Sequence, residues 1–381
     1  MDDLRSRTHG LFASRRGILG LDTAPACLTA RFRVASIKPS ARAADGYLAM
    51  LLSTPDLAEA TSGVVLHAAA FDRLTSRGRQ LAQRLREAGI LLGVRADAGS
   101  EPLSADGREL VTTGVDGLAA RLRGMAQRGA SFAVWSAVTS TDPDALRVLT
   151  ANSQAAARFG YVCQDAGLVP VIRVGTRLTG GSAPLADGLF CPRSAAVAAA
   201  LLGVCGHLED FGADLGAVVI STDPGTGRPS PSGQRPPGGR RRTGDIPEPR
   251  VGGYPRGGRD FGGFADPLAA DPLAAGPLDV GFPEPLAAGP LAALPSSLGG
   301  VALTGGWPSP SAAAAAVARV CLAEPPWPVT FYLGRQLTQP ALAAWGGRSA
   351  SIPAGQRALR AGLVTASAAL PAKNASIPAE V

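Results

Sequence analysis

Eight short apolar runs, with helical stretches between most of them, predict an α/β fold of the (β/α)8 barrel class for this 381-residue chain. Two further observations support that class. Most runs stop at a polar or charged residue, and a barrel carries its functional groups at the C-terminal ends of its strands. No G-x-G-x-x-G follows the first run, which counts against the runner-up, an open doubly wound sheet. With 46% hydrophobic residues the chain can bury a sizeable core.

Taken in order, residues 1–16 are polar and basic and read as a lead-in with a short helix. The first strand is Gly17–Asp22, GILGLD, and residues 41–60 have helical character. Ser62–His67 is the second strand. Leu74, Leu81 and Leu85 share one face of a helix over residues 72–88. Gly89–Asp97 is the third strand, and Gly114–Arg128 a helix. Ala130–Val138 is the fourth, followed by a long helix from Asp142, an N-cap with proline behind it, to Ala166. Gly167–Val174 is the fifth strand, Ala195–Phe211 a helix, and Leu215–Thr222 the sixth strand. Leu298–Gly306 and Val329–Arg335 are the seventh and eighth, with an Ala-rich helix at Pro310–Leu322 between them and a last helical region from Gln339. The strand ends are then Asp22, His67, Arg95 with Asp97, Trp135 with Ser136, Arg173, Ser221, Thr304 and Arg335.

One block interrupts this rhythm. Residues 223–294 are Pro/Gly/Arg-rich around Arg240–Arg242 and then repeat PLAA, so they cannot bury enough apolar surface to offset the entropy of ordering. They read as a disordered insertion between strands six and seven, where a crossover helix is expected. The barrel then comprises 17–222 and 295–370, with a tail at 371–381.

Composition excludes several functions. Net charge is +7, carried almost wholly by arginine, since Lys38 and Lys373 are the only lysines. No aromatic-interleaved basic motif suggests a nucleic-acid reader. Five scattered cysteines without a C-x-x-C pair and three separated histidines indicate neither a metal site nor a disulfide framework. No secretory h-region and no eighteen-residue apolar run is present, so the expectation is a cytoplasmic protein without a membrane segment or cofactor.

The last two strands end in glycine: Thr304-Gly305-Gly306 and Gly334-Arg335. Glycine lets backbone N–H groups approach an anion closely, and the arginine fork fits a phosphate, so the pair reads as a phosphate cradle.

The ordered series GILGLD, GVVLHAAAF, GVRADAG, TTGVDGLAARL, GASFAVW, ARFGYVCQDAGLVPVI, VALTGG and WPVTFYLGRQLTQPALAAWGGR resembles the class I fructose-1,6-bisphosphate aldolases. That family splits fructose 1,6-bisphosphate into dihydroxyacetone phosphate and glyceraldehyde 3-phosphate through a Schiff base on a strand-six lysine. The resemblance places Ser221 at that lysine, and a hydroxyl cannot form an imine. It places Val134 at a second lysine, Ser136 at an arginine, Arg173 at the acid/base glutamate, Gly175 at a further acid, and Ala24 and Cys27 at serines that hold the far phosphate. It retains Asp22 at a catalytic aspartate. Thr304, Gly305, Gly306, Gly334, Arg335, Arg31 and Arg95 match phosphate ligands. The expectation is a catalytically degenerate homologue that binds a phosphorylated sugar, with a tetramer implied by the resemblance. The alternatives are an active enzyme with a relocated lysine, Lys38 or Lys373, and a poorly folding product of a decaying gene.

Overall fold

The computed structural model describes residues 2–13, 15–103, 109–139, 146–176, 194–223 and 290–372. Its strands are β1 (Gly17–Leu21), β2 (Thr61–Leu66), β3 (Leu91–Arg95), β4 (Gly99–Pro102), β5 (Leu110–Thr113), β6 (Phe132–Thr139), β7 (Val169–Thr176), β8 (Val219–Thr222), β9 (Gly300–Leu303) and β10 (Val329–Leu333). The helices are α1 (Asp2–Leu11), α2 (Pro25–Val34), α3 (Ala41–Leu52), α4 (Leu57–Ala60), α5 (Ala68–Ser76), α6 (Arg79–Glu87), α7 (Leu118–Gln127), α8 (Leu146–Asp165), α9 (Ser194–Asp210), α10 (Pro310–Leu322), α11 (Arg335–Trp345) and α12 (Ile352–Ser367).

Eight strands close a parallel barrel in the order β1-β10-β9-β8-β7-β6-β3-β2, with β2 returning to β1. The expected class is therefore observed. Alternation along each strand divides the core in two. Val65, Phe132, Val134, Val171, Val219 and Tyr332 belong to the cluster inside the barrel, while Leu66, Trp135, Ile172, Ile220 and Leu333 pack outward with the helices. Gly93 makes room for the interior ring of Phe132, which a Cβ there would meet at 2.3 Å.

The lead-in is more than a loose arm. Leu4, Leu11 and Phe12 join the interior cluster. The Ser62 hydroxyl donates to the Leu11 carbonyl at 2.6 Å, and Arg5 pairs with Asp214 at 2.9 Å. These partners lie at the N-terminal ends of β2 and β8, so α1 closes the bottom of the barrel. The opposite end stays available for function.

Several boundaries differ from the sequence reading, for local reasons. The helix expected over 72–88 is two, α5 and α6, split at Gly78, whose ψ of 32° leaves the helical region. Residues 41–60 divide at Pro55 into α3 and α4. The helix expected from Gln339 starts at Arg335, capped by Gly334, and accommodates Pro340. The stretch after β3 holds an antiparallel hairpin, β4 with β5, that the sequence did not announce. Its four-residue strands include a glycine, a glutamate and a proline, and so lack strand periodicity. Asn152 of α8 holds the hairpin, accepting from Thr112 N and donating to the carbonyls of Leu110 and Val138. The proposed Asp142 cap and most of the segment between β8 and β9 lie outside the described residues. β8 and β9 pair in parallel, with Ser221 opposite Ala302, whatever joins them.

Candidate functional site at the barrel mouth

Interior-facing residues just above the last apolar layer make the mouth. Asp22, Arg95, Ser136, Arg173 and Ser221 are all buried and come from β3, β6, β7, β8 and the residue after β1. The sequence-predicted strand ends therefore converge, with one correction. Trp135 points outward and stacks on Phe159 at 5.4 Å, because side chains alternate along β6 and only Ser136 faces inward.

Charges in the mouth neutralise one another. Arg95 donates through Nε and Nη2 to Asp97 Oδ1 at 2.8 and 2.6 Å. Asp97 also accepts from the amides of Gly99 and Ser136, which consumes its remaining capacity. Arg173 donates to Ser136 Oγ at 2.9 Å, pairs with Asp22 Oδ2 at 3.4 Å, and lies over the Tyr332 ring at 5.4 Å. Burial works against the charge on both arginines, yet the facing carboxylates outweigh it and hold each pKa above its usual value. The Tyr332 phenol is pushed well up, first by burial and then by Asp22, so it stays protonated. His67 accepts from Ala69 N at 3.3 Å through Nδ1, which leaves the proton on Nε2. Its pKa is lowered by burial and then by Arg95, so the ring is neutral near pH 7.

Ser221 is fully buried, and its hydroxyl has no hydrogen-bond partner among the described residues. It pairs across the ladder with Arg173. Val134 is likewise fully buried among apolar interior side chains. Neither position holds an amine. Lys38 is exposed on the α2–α3 connection, and Lys373 lies outside the described residues. Among the described residues, no group of three His, Cys, Asp or Glu side chains could hold a metal, and no helix is long and apolar enough to cross a membrane.

The two glycine strand ends meet at the rim. Gln336 Nε2 donates to Gly305 O at 2.6 Å, tying the first turn of α11 to the loop after β9. Gly334 caps α11 without a side-chain hydrogen bond, and Arg335 at its first position is exposed. A Cβ on Gly334 would sit 3.0 Å from Gly20 O, so glycine favours β1 and β10 ending this close together. The same test finds a residue the sequence reading passed over. A Cβ on Gly305 would come within 2.8 Å of Asp223 Oδ2, so a buried carboxylate borders the cradle. Its place directly after β8 was the available signal.

Arg31 and Arg95, the other expected phosphate ligands, do not join this cradle. Arg95 is occupied by Asp97. Arg31, on α2, donates to Gln339 Oε1 at 3.1 Å and Thr338 Oγ1 at 3.0 Å. Ala24 caps α2 with no side-chain hydrogen bond.

Fold and site together define a (β/α)8 barrel protein whose polar groups gather at the C-terminal mouth. The family model "Fructose-bisphosphate aldolase class-I" matches residues 3–187 and 291–377, more than half of the chain, and the chain belongs to that family. It is 33% identical over 174 residues to a probable fructose-bisphosphate aldolase class 1 of Xanthomonas campestris, covering 45% of this chain and 52% of that protein. It is 31% identical over 176 residues to the fructose-bisphosphate aldolase of Echinococcus multilocularis, covering 45% and 48%. The chain thus spans about half the length of these curated relatives. The fold is similar to that of fructose-bisphosphate aldolase from Plasmodium falciparum, solved in complex with TRAP and a small-molecule inhibitor. That likeness has a TM-score of 0.72 at 22% identity and covers 97% of this chain and 94% of the other.

Proposed function

We propose that this family member binds a phosphorylated sugar at the rim cradle without cleaving it. Ser221 carries the reading. It stands at the position that the resemblance gives to the Schiff-base lysine, it is sealed in the barrel, and its neighbour across the ladder is an arginine where the resemblance puts the acid/base glutamate. Imine formation needs a neutral primary amine; a serine hydroxyl cannot supply one, and a guanidinium stays protonated. Asp22 keeps its family position but serves as the counter-ion of Arg173.

Phosphate recognition is supported by a different set of atoms. Gly334 leaves the first N–H groups of α11 without a side-chain cap, Arg335 adds an exposed guanidinium, and Gln336 fixes the Thr304–Gly306 loop beside them. The ligand class, a phosphosugar, and a cytoplasmic homo-oligomer belong to this same reading through family membership.

The test has two arms. Borohydride added with dihydroxyacetone phosphate should leave the chain unlabelled by mass spectrometry. Millimolar fructose 1,6-bisphosphate should raise the thermal unfolding midpoint, and raise it less in Arg335→Ala. A borohydride-stable adduct would overturn the loss of imine chemistry, and an unshifted midpoint would overturn the binding.

A further inference from the structure

His67 is the side-chain cap of α5. It follows β2 with an extended backbone, and its Nδ1 accepts from the amide of Ala69 at 3.3 Å. The amides of Ala70 and Phe71 bond instead to the His67 carbonyl, at 2.8 and 2.9 Å. Residues 68–70 are all alanine, so no other side chain of the first turn can accept from the Ala69 amide. The caps of α3 and α10 are serines, Ser40 and Ser309, which do not titrate. A helix capped by imidazole behaves differently, because one proton turns its acceptor into a donor.

The consequence is geometric. With Nδ1 protonated, two N–H groups face each other, and a positive ring stands at the positive end of the helix dipole. The ring then has to leave the cap. The charged groups around it are Arg95 of β3, Asp97 just beyond that strand, Asp22 just beyond β1, and Arg73 of α5 itself. Arg73 is paired with Asp45 at 2.8 Å, and Arg95 with Asp97, whose oxygens are already engaged. Asp22 Oδ2 has its 3.4 Å ion pair with Arg173 but no hydrogen-bond partner among the described residues, so it has capacity for an imidazolium. Burial, and then Arg95, lower the pKa of the ring from 6.5, which puts its release in the acid range.

Release is confined to one turn. Phe71 and Leu74 are buried in the core, Arg73 ties α5 to Asp45 of α3, and Asp72 ties it to Arg128 at the end of α7 at 3.1 Å. All of these anchors lie past the first turn. The first turn itself is a wall. With His67, Ala69 and Ala70 line a side cavity of about 380 Å³, whose other sides come from residues around α2 and α3, Arg31 among them, and from Thr338 of α11. None of the rim-cradle residues lines it.

We propose that His67 is a pH-sensitive latch on this side cavity. Neutral, it caps α5 and holds the wall in place; protonated, it frees the first turn of α5 and loosens the wall. The latch is separate from the rim cradle and does not rest on the phosphosugar reading.

Hydrogen–deuterium exchange of the full chain tests this, read by mass spectrometry at pH 7.5 and pH 5.0 and corrected for the intrinsic amide rate at each pH. Peptides covering the first turn of α5 should lose protection about 5- to 10-fold at pH 5.0, the loss expected for one helix cap. Peptides covering the first turn of α10, where Ser309 accepts from the Ala312 amide at 3.1 Å, should keep theirs. His67→Asn supplies a cap that does not titrate and should abolish the loss. His67→Ala removes the cap and should give the low protection at both pH values. If a variant does not fold, the comparison of α5 with α10 in the parent still decides. Unchanged protection of α5 in the parent, an equal loss in α10, or a loss that persists in His67→Asn would each overturn the proposal.

Discussion

Asp22 is where a structural role and a catalytic role predict different numbers. It is 6% exposed, and its Oδ2 lies 3.4 Å from Nη2 of Arg173, itself 9% exposed. Removing one member of a buried ion pair leaves the other charge uncompensated, at a cost of about 3–5 kcal/mol. Asp22→Asn keeps the shape and removes the charge, so it should destabilise by that amount. Removing both charges, in Asp22→Asn with Arg173→Met, avoids the stranded ion and should return stability to within roughly 1 kcal/mol of the parent. Equilibrium urea unfolding, followed by circular dichroism and tryptophan fluorescence at one protein concentration, measures Asp22→Asn, Arg173→Met and the double variant against the parent. The coupling between the two sites should then be at least about 2 kcal/mol in magnitude. Additive single-mutant effects, or an Asp22→Asn cost below about 1 kcal/mol, would refute the assignment of Asp22 as the counter-ion of Arg173.

Three further outcomes follow from other parts of the molecule. Asp223→Asn removes a carboxylate bordering Gly305 and should tighten phosphosugar binding by roughly 10- to 100-fold, equivalent to about 1–3 kcal/mol of like-charge repulsion, read by calorimetry. Leu11→Ala should cost about 2–4 kcal/mol in the same urea assay, since Leu11 is fully buried in the barrel interior; a cost near zero would mean that α1 is not part of the core. His67 has a pKa below the usual 6.5, so the unfolded chain takes up a proton before the folded chain does. It therefore contributes a loss of stability as pH falls below about 6.5, and His67→Gln should narrow the gap in unfolding midpoint between pH 7.5 and pH 5. An unchanged gap would show that His67 does not set it.

The barrel was legible because each strand is a contiguous apolar run and parallel pairing leaves little choice of register. Residues such as Val171 and Ile220 are buried on opposite faces of their strands, so no alternation had to be recognised. Asp22, Arg95, Arg173 and Ser221 lie buried at the strand ends where those runs stop. The strand-end list failed at Trp135, because a run buried on both sides hides which residue faces the axis. The hairpin of β4 and β5 could not be read from its four-residue strands; it is held from outside, by Asn152 some forty positions away. Nor does any local pattern reveal that Arg31 meets no carboxylate among the described residues, since pairing across the fold depends on which side chains α2, α3 and α11 bring together.

Under the function proposed above, charge pairing also bears on where ligand recognition would reside. Covalent catalysis in the barrel would need groups on its axis that are free to exchange protons, and here each axial charge is committed. Arg95 is held by Asp97, Arg173 by Asp22, and the Tyr332 phenol is kept protonated. A polar mouth neutralised from within offers a substrate little differential binding, because any contact it gains requires breaking an internal one of similar strength. Arg335 on the rim and Arg31 in the side cavity differ, since neither has a carboxylate partner among the described residues. Both lie off the barrel axis. Substitutions on the axis should therefore act mainly on stability, and those at Arg335 and Arg31 mainly on affinity. A single axial variant that abolished ligand binding while leaving the urea midpoint unchanged would break that division.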